Sequence, residues 1–264
     1  MVAFRTIGDP PRAWTKACAG DAQWRVAEEI PVAFVYNRRN YAVMLATPED
    51  LEDFAIGFSL TERVVDELAD IESVDIHCSG RGVELHFTID AKKLERLDVR
   101  QQRRNLVGRA GCGVCGLENA DGFFEPLPAV SETLASVNQV AIARAFEALP
   151  AVQRLNIETR TVHAAAWVSS AGDIQAVRED VGRHNALDKL LGALARATAD
   201  CADGFVLMSS RCSYEIIEKA ARRGVRALAS ISAPTAFALR KATEANMAIY
   251  ARAGDAFVPI SGAP

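Results

Sequence analysis

Three short apolar runs near the end of the chain, FVLMS (205–209), VRALASI (225–231) and MAIYAR (247–252), constrain the fold most, because helical patterns lie between them. The first interval carries a helix from Ser213 to Arg223 stopped by Gly224, and the second a helix from about Thr235 to Ala245. Another helix, Ala186 to Arg196, precedes the first run, with Asn185 as its cap and Asp188 in its first turn. Strands alternating with helices in this way predict a parallel sheet with right-handed crossovers. Loops leaving the C-termini of such strands open onto helix N-termini, whose free N–H groups attract phosphate. SSRCS (209–213) and SAPT (232–235) are two such loops, offering Ser209, Arg211, Ser232 and Thr235. The planar guanidinium suits a phosphate. The pattern therefore suggests a nucleotide or phosphorylated ligand, although plain helix capping accounts for the same hydroxyls.

The first half reads differently. PVAFVYNRRNYAVMLA (31–46) sets two apolar runs around a polar Asn37–Asn40 turn and predicts a β-hairpin. TPEDLEDFAIGFSLTE (47–62) predicts a helix with Thr47 as cap, Pro48 at the first position, and Leu51, Phe54, Ala55 and Phe58 on one face. VDIHCSGRGVELHFTI (74–89) alternates as a second hairpin, with Val74, Ile76 and Cys78 on one side, then Val83, Leu85, Phe87 and Ile89. This half reads as α+β with antiparallel strands. His77 and His86 fall on polar faces and are expected to be exposed. Residues 91–130 have weak periodicity and read as the linker. An amphipathic helix over 133–148 and a hairpin over 159–178, turning at Ala171-Gly172-Asp173, then precede the alternating region. The division expected is 1–125 and 126–264.

With 264 residues, half of them apolar, the chain can bury a proper core without staples. A net charge of −4 argues against a broad nucleic-acid or anionic-membrane footprint. No apolar stretch approaches the ~18 residues of a membrane span, and the signal-peptide pattern is lacking, so a cytoplasmic location is expected. The six cysteines, at 18, 78, 112, 115, 201 and 212, are scattered and do not form a disulfide framework.

Two of them stand in GRAGCGVCG (108–116), where glycines leave almost no bulk around Cys112 and Cys115. Half of a zinc site is one reading, but a closed site needs four ligands and no second pair stands at ligand spacing, so no structural metal is expected. A zinc deaminase would want His-x-Glu before Pro-Cys-x-x-Cys; here His163 is followed by Ala164-Ala165 and the cysteines lie upstream. A thioredoxin-like dithiol would sit at a helix start, and this segment predicts no helix of useful length. The glycines predict instead a mobile backbone able to carry Cys112 into a large partner, with Arg109 favouring the thiolate. Thiols without function are the bland alternative. Cys78 is expected in the core, and Cys212 is expected to pack rather than react.

REDVGRHNALDKLLG (178–192) is the other dense cluster. Gly182 interrupts it before a capped helix, so Arg183 and His184 are expected to point into a cleft, while caps and surface ion pairs account for Asn185, Asp188 and Lys189. His163 is ambiguous.

Together TPEDLEDFAIGFSLTE, GCGVCG, EDVGRHNALDKLLG, SSRCSYEIIEKAARRGV and SAPT, in order over about residues 27–254, resemble the formate dehydrogenase accessory sulfurtransferase family. The resemblance implies an α+β N-terminal domain ending in the Cys-x-x-Cys loop, then an α/β cytidine-deaminase-like domain with a mixed sheet, generally as a homodimer. It implies a sulfurtransferase that takes persulfide sulfur from a cysteine desulfurase and passes it to the molybdenum (or tungsten) bis(molybdopterin guanine dinucleotide) cofactor, for a formate dehydrogenase apoenzyme that is inactive without it. Cys112 would carry the persulfide, with Cys115 its companion. The cofactor-binding segment would be YARAGD, that is Tyr250, Ala251, Arg252, Ala253, Gly254 and Asp255, although a carboxylate at Asp255 is unhelpful beside phosphates. Ser209, Arg211, Ser232, Thr235, Arg183 and His184 complete the candidate site for the guanine nucleotide. The rival from another class is a non-catalytic chaperone that binds and inserts the same cofactor; whether Cys112 must react separates the two.

Overall fold

The computed structural model describes residues 2–94, 125–132, 136–199, 201 and 203–261. Its first part is a sheet in the order β1-β6-β7-β4-β5, built from β1 (Ala3–Ile7), β4 (Ile30–Tyr36), β5 (Arg39–Ala46), β6 (Ile71–Ser79) and β7 (Gly82–Ile89). Both expected hairpins form. Asn37 and Arg38 between β4 and β5 have φ of 46° and 70°, the left-handed backbone that a tight two-residue hairpin turn requires. The Asn37 side-chain amide donates to the Ile89 carbonyl and its oxygen accepts from the Ile89 N–H, which ties this turn to the end of β7. The expectation of a purely antiparallel sheet is corrected: β4 runs parallel to β7, and β1 parallel to β6. Only long-range pairing decides this, since β1 and a separate hairpin, β2 (Trp14–Ala19) with β3 (Ala22–Ala27), carry weak apolar alternation.

Helix α1 (Leu51–Thr61) lies across this sheet. Phe34 of β4 meets Phe54 edge-on at 5.2 Å and stacks on Phe58 at 3.9 Å, both centroid to centroid. Thr47 is not the cap. The helix starts after Asp50, in left-handed backbone at φ 52° with no side-chain cap bond. Residues 53–61 are buried on every side, because α1 is sandwiched rather than resting on a surface.

The other wall is the second sheet, β13-β12-β11-β10-β8-β9, with β8 (His163–Val168), β9 (Ile174–Asp180), β10 (Phe205–Met208), β11 (Ala227–Ser230), β12 (Ala248–Ala253) and β13 (Ala256–Pro259). As expected, β10, β11 and β12 are parallel; the β8–β9 hairpin and β13 add antiparallel pairs, so the sheet is mixed. Helix α2 (Gln139–Val152), capped by the Asn138 side chain, covers one face through Ile142, Ala145 and Leu149. It starts and ends later than the expected 133–148 and is followed by α3 (Arg154–Thr159). The other face carries α4 (Arg183–Arg196), α5 (Tyr214–Arg222) and α6 (Ala236–Glu244). Helices α1 and α4 cross at two glycines. A Cβ on Gly57 would stand 1.7 Å from the Asp188 carbonyl oxygen, and one on Gly192 would stand 1.9 Å from that of Asp53. Glycine is needed here for close approach, and through it the two sheets share one helical layer.

Candidate functional site

The register of the second sheet brings separate chain segments to one edge. Met208 pairs with Ser230 and Ser230 with Ala251, so β10 and β11 end level with each other and two residues short of the end of β12. The loops after β10 and β11, and the β12–β13 turn, leave from that edge. Because β8 is antiparallel to β10, its first residue, His163, lies there too, opposite Asp180 at the end of β9. The N-termini of α4, α5 and α6 follow directly from these segments, so their unpaired N–H groups gather at the same edge.

Arg211 is exposed, and its guanidinium has no hydrogen-bond or ion-pair partner among the described residues. The Arg183 Nε is buried with no partner among them. His184 Nε2 lies 3.1 Å from Glu215 Oε2 and 3.4 Å from Ser213 Oγ, and Ser213 Oγ donates to the same carboxylate at 3.0 Å. The hydrogen bond from His184 holds the Glu215 carboxyl below its ordinary range, so the carboxylate stays ionised. Ser209 Oγ accepts from the Ala164 N–H at 2.8 Å, and Thr235 Oγ1 caps α6 by accepting from the Ala238 N–H at 3.2 Å. Each hydroxyl still has its own proton to donate. Thr235 N–H donates to the Cys212 carbonyl at 3.1 Å, which joins the two loops, and the Ser232 carbonyl accepts from Ser230 Oγ. Cys212 itself is fully buried and its thiol is pushed up to about 12 by that burial, which makes it packing, as expected.

The segment 250–255 divides. Tyr250 and Ala251 are buried, and the Tyr250 hydroxyl accepts from the Val137 N–H at 2.9 Å. Arg252 and Ala253, which end β12, and the turn of Gly254 and Asp255 that follows are exposed, with Gly254 at φ 62°. Arg252 lies over the Phe146 ring at 4.9 Å, donates to the Gly254 carbonyl, and stands 3.7 Å from Asp255. Cys112 and Cys115 lie outside the described residues.

Beneath the edge, the 178–192 cluster is not a solvated face. Asn185, Asp188 and Lys189 are buried, and the helix cap is Gly182 rather than Asn185. Asp180, with no exposure, accepts from the Thr47 and Gly182 N–H groups and from the Asn185 amide, and pairs with Lys189 Nζ at 2.7 Å. Lys189 also donates to the Thr47 and Glu179 carbonyls. At the other end of α1, Asp188 accepts from Thr61 Oγ1 at 2.6 Å and pairs with Lys219 at 2.8 Å, which reaches Glu62 as well. Burial works against the Lys219 charge, yet Asp188 and Glu62 outweigh it and hold its pKa above the ordinary range. Arg178 and Arg196 bind Asp53 between these two clusters. Helix α1 is thus fastened to the second sheet's layer at its start, middle and end, and the turn carrying Arg183 and His184 is held by Asp180.

Cationic side chains, helix N-termini and free hydroxyl donors at one edge can bind an anion of phosphate type. Among the described residues no group of three or more His, Cys, Asp or Glu side chains could hold a metal ion. His163 is the site residue that sequence reasoning left unassigned; the register of the 159–178 hairpin, which sets it beside Asp180, was the available signal. Among the described residues no helix is long and apolar enough to cross a membrane.

The model of the FdhD/NarQ family matches residues 27–258. The sulfur carrier protein FdhD of Xanthomonas euvesicatoria pv. vesicatoria is 48% identical over 230 residues, covering 87% of this chain and 81% of its own. That of Bordetella petrii is 45% identical over 236 residues, covering 89% and 84%. A crystal structure from Desulfotalea psychrophila, assigned as a formate dehydrogenase accessory protein, shares the fold with a TM-score of 0.69 at 20% identity, covering 93% of this chain and 95% of its own.

Proposed function

The chain belongs to the FdhD/NarQ family, and from that membership we propose that it is a sulfur carrier in formate dehydrogenase maturation, a sulfurtransferase whose persulfide forms on Cys112. The observation that carries this reading is its 48% identity, over 87% of the chain, to a protein named as a sulfur carrier. The Cys112 thiolate attacks the outer sulfur of a cysteine desulfurase persulfide; a new S–S bond forms, the old one breaks, and the donor cysteine leaves as a thiolate that takes up a proton. Cys115 can then release sulfur by closing a disulfide, a role its spacing permits. The cargo's acceptor is the molybdenum bis(molybdopterin guanine dinucleotide) cofactor destined for the formate dehydrogenase apoenzyme. The chemistry of the sheet edge supports a guanine-dinucleotide site: Arg183, His184 and Arg211 would face the phosphates, Ser209, Ser232 and Thr235 would surround them, and the segment Tyr250–Asp255 would contribute through its exposed turn. The mixed sheet, with an antiparallel hairpin beside three parallel strands, supports the cytidine-deaminase-like reading of residues 126–264. The carrier acts as a cytoplasmic homodimer with no nucleic-acid or membrane partner.

Intact-mass analysis after incubation with a cysteine desulfurase and cysteine tests the carrier reading, which requires a gain of sulfur mass reversed by reductant. The cofactor site has its own test. Arg211→Ala is expected to weaken GDP binding by about ten- to a hundredfold, since it removes charged hydrogen bonds to phosphate. Titration calorimetry showing unchanged binding in this variant would remove Arg211 from the site. No zinc is expected in the purified protein, because two cysteines supply half a site. One zinc per chain by elemental analysis, lost in Cys112→Ser, would instead favour a zinc-dependent deaminase.

A further inference from the structure

His163 also stands at the cationic edge, opposite Asp180. It opens β8, is half-buried, and its ring has no hydrogen-bond partner among the described residues. Asp180 of β9 lies opposite it, and the charges that act on it besides are Arg183 and His184 from α4 and Arg211 from the loop between β10 and α5, with Glu215 of α5 paired to His184 at 3.1 Å. Asp180 offers little compensation, since its carboxylate already serves Thr47, Gly182, Asn185 and Lys189. The imidazole therefore meets mostly positive charge. Burial first, then Arg183, with His184 and Arg211 adding to it against Asp180, holds its pKa below the ordinary histidine value. Without an anion beside it, the His163 ring therefore favours its neutral form.

We propose that His163 is a phosphate-binding residue that acts in its protonated form, taking up a proton from solvent as a diphosphate settles against Arg183 and Arg211. This rests on reading the sheet edge as a guanine-nucleotide site. The physical reason is that an anion cancels the charge that kept the ring neutral, and an imidazolium then gains an acceptor for its N–H. Protonation and anion binding become reciprocally linked. The sign follows directly: affinity rises as pH falls through the raised pKa of the complex, and levels off below the depressed pKa of the free protein. Between those limits the change is up to about tenfold per pH unit.

Titration calorimetry with GDP near neutral pH, repeated in buffers of different ionisation enthalpy, counts the protons taken up. The wild type should take up a fraction of a proton more than H163Q. Their affinities should diverge below about pH 7 and converge above about pH 8, where the wild-type ring is neutral and, like the glutamine amide, carries no charge. Equal proton counts in the two proteins would overturn the inference while leaving nucleotide binding intact. Absence of GDP binding in the wild type would instead sink the nucleotide reading, and this inference with it. Inorganic pyrophosphate should reproduce the proton difference, because the coupling is to phosphate; a difference seen with GDP alone would refute the phosphate assignment. Should H163Q not fold, ring-nitrogen NMR of His163 in the intact protein decides: GDP should convert the neutral ring to imidazolium, and an unchanged ring is the contrary result.

Discussion

Cys112→Ala is expected to lose sulfur loading on the 108–116 segment completely, and with it the maturation of formate dehydrogenase in cells that lack the native protein. No smaller effect fits a covalent carrier, because the thiolate is the atom that forms the new S–S bond and no neighbouring group can replace it. Cys115→Ala should keep the first loading step, since Cys115 enters only when sulfur leaves. Among the described residues, Cys18, Cys78 and Cys201 are partly or fully accessible and Cys212 is buried, so the added sulfur must be located by peptide mapping rather than by total mass alone. The decisive comparison is the mapped sulfur on this segment after incubation with desulfurase and cysteine, beside formate dehydrogenase activity in the complemented strain. If Cys112→Ala still loads there and still complements, the nucleophile is wrong. If it cannot load but still complements, the chaperone that binds and inserts the cofactor becomes the better account.

Asp180→Ala is expected to cost about 3–5 kcal/mol of unfolding free energy, the range for breaking one partner of a buried ion pair. Removing this carboxylate strands Lys189, which has no exposure, with only the Thr47 and Glu179 carbonyls. It also takes the acceptor from the Thr47 and Gly182 N–H groups. Urea unfolding of wild type and variant measures the loss. The double variant Asp180→Asn with Lys189→Met should be less destabilised than Asp180→Ala alone, because no charge is left buried without a partner. A loss under about 1 kcal/mol, the size of an exposed pair, would show that this cluster does not hold the two sheets together. GDP affinity should fall in the same variant, since the turn that presents Arg183 and His184 hangs on Asp180.

What could be read from the order of residues was whatever repeats at short range. The Ala171-Gly172-Asp173 turn, the alternation in β6 and β7, and the helix–strand order after residue 184 are local patterns, and each appears where it was expected. The three parallel strands with their loops at one edge followed from that order, so Ser209, Arg211, Ser232 and Thr235 were found as a group. Membership in the family was legible as well, from spaced motifs that need no geometry.

Tertiary structure decided the rest, because the deciding contacts join residues far apart in the chain. Thr47 has the sequence of a helix cap, yet its N–H, hydroxyl and carbonyl serve Asp180, Val181 and Lys189, more than 130 positions away. Asp188 and Lys189 look like a charged helix face. They are buried because Gly57 and Gly192 let α1 and α4 approach closely enough to exclude water, and a charge without water must find a partner. His163 had no assignable role for the same reason: its surroundings come from β9, α4 and the loop after β10, and only the sheet register brings them together.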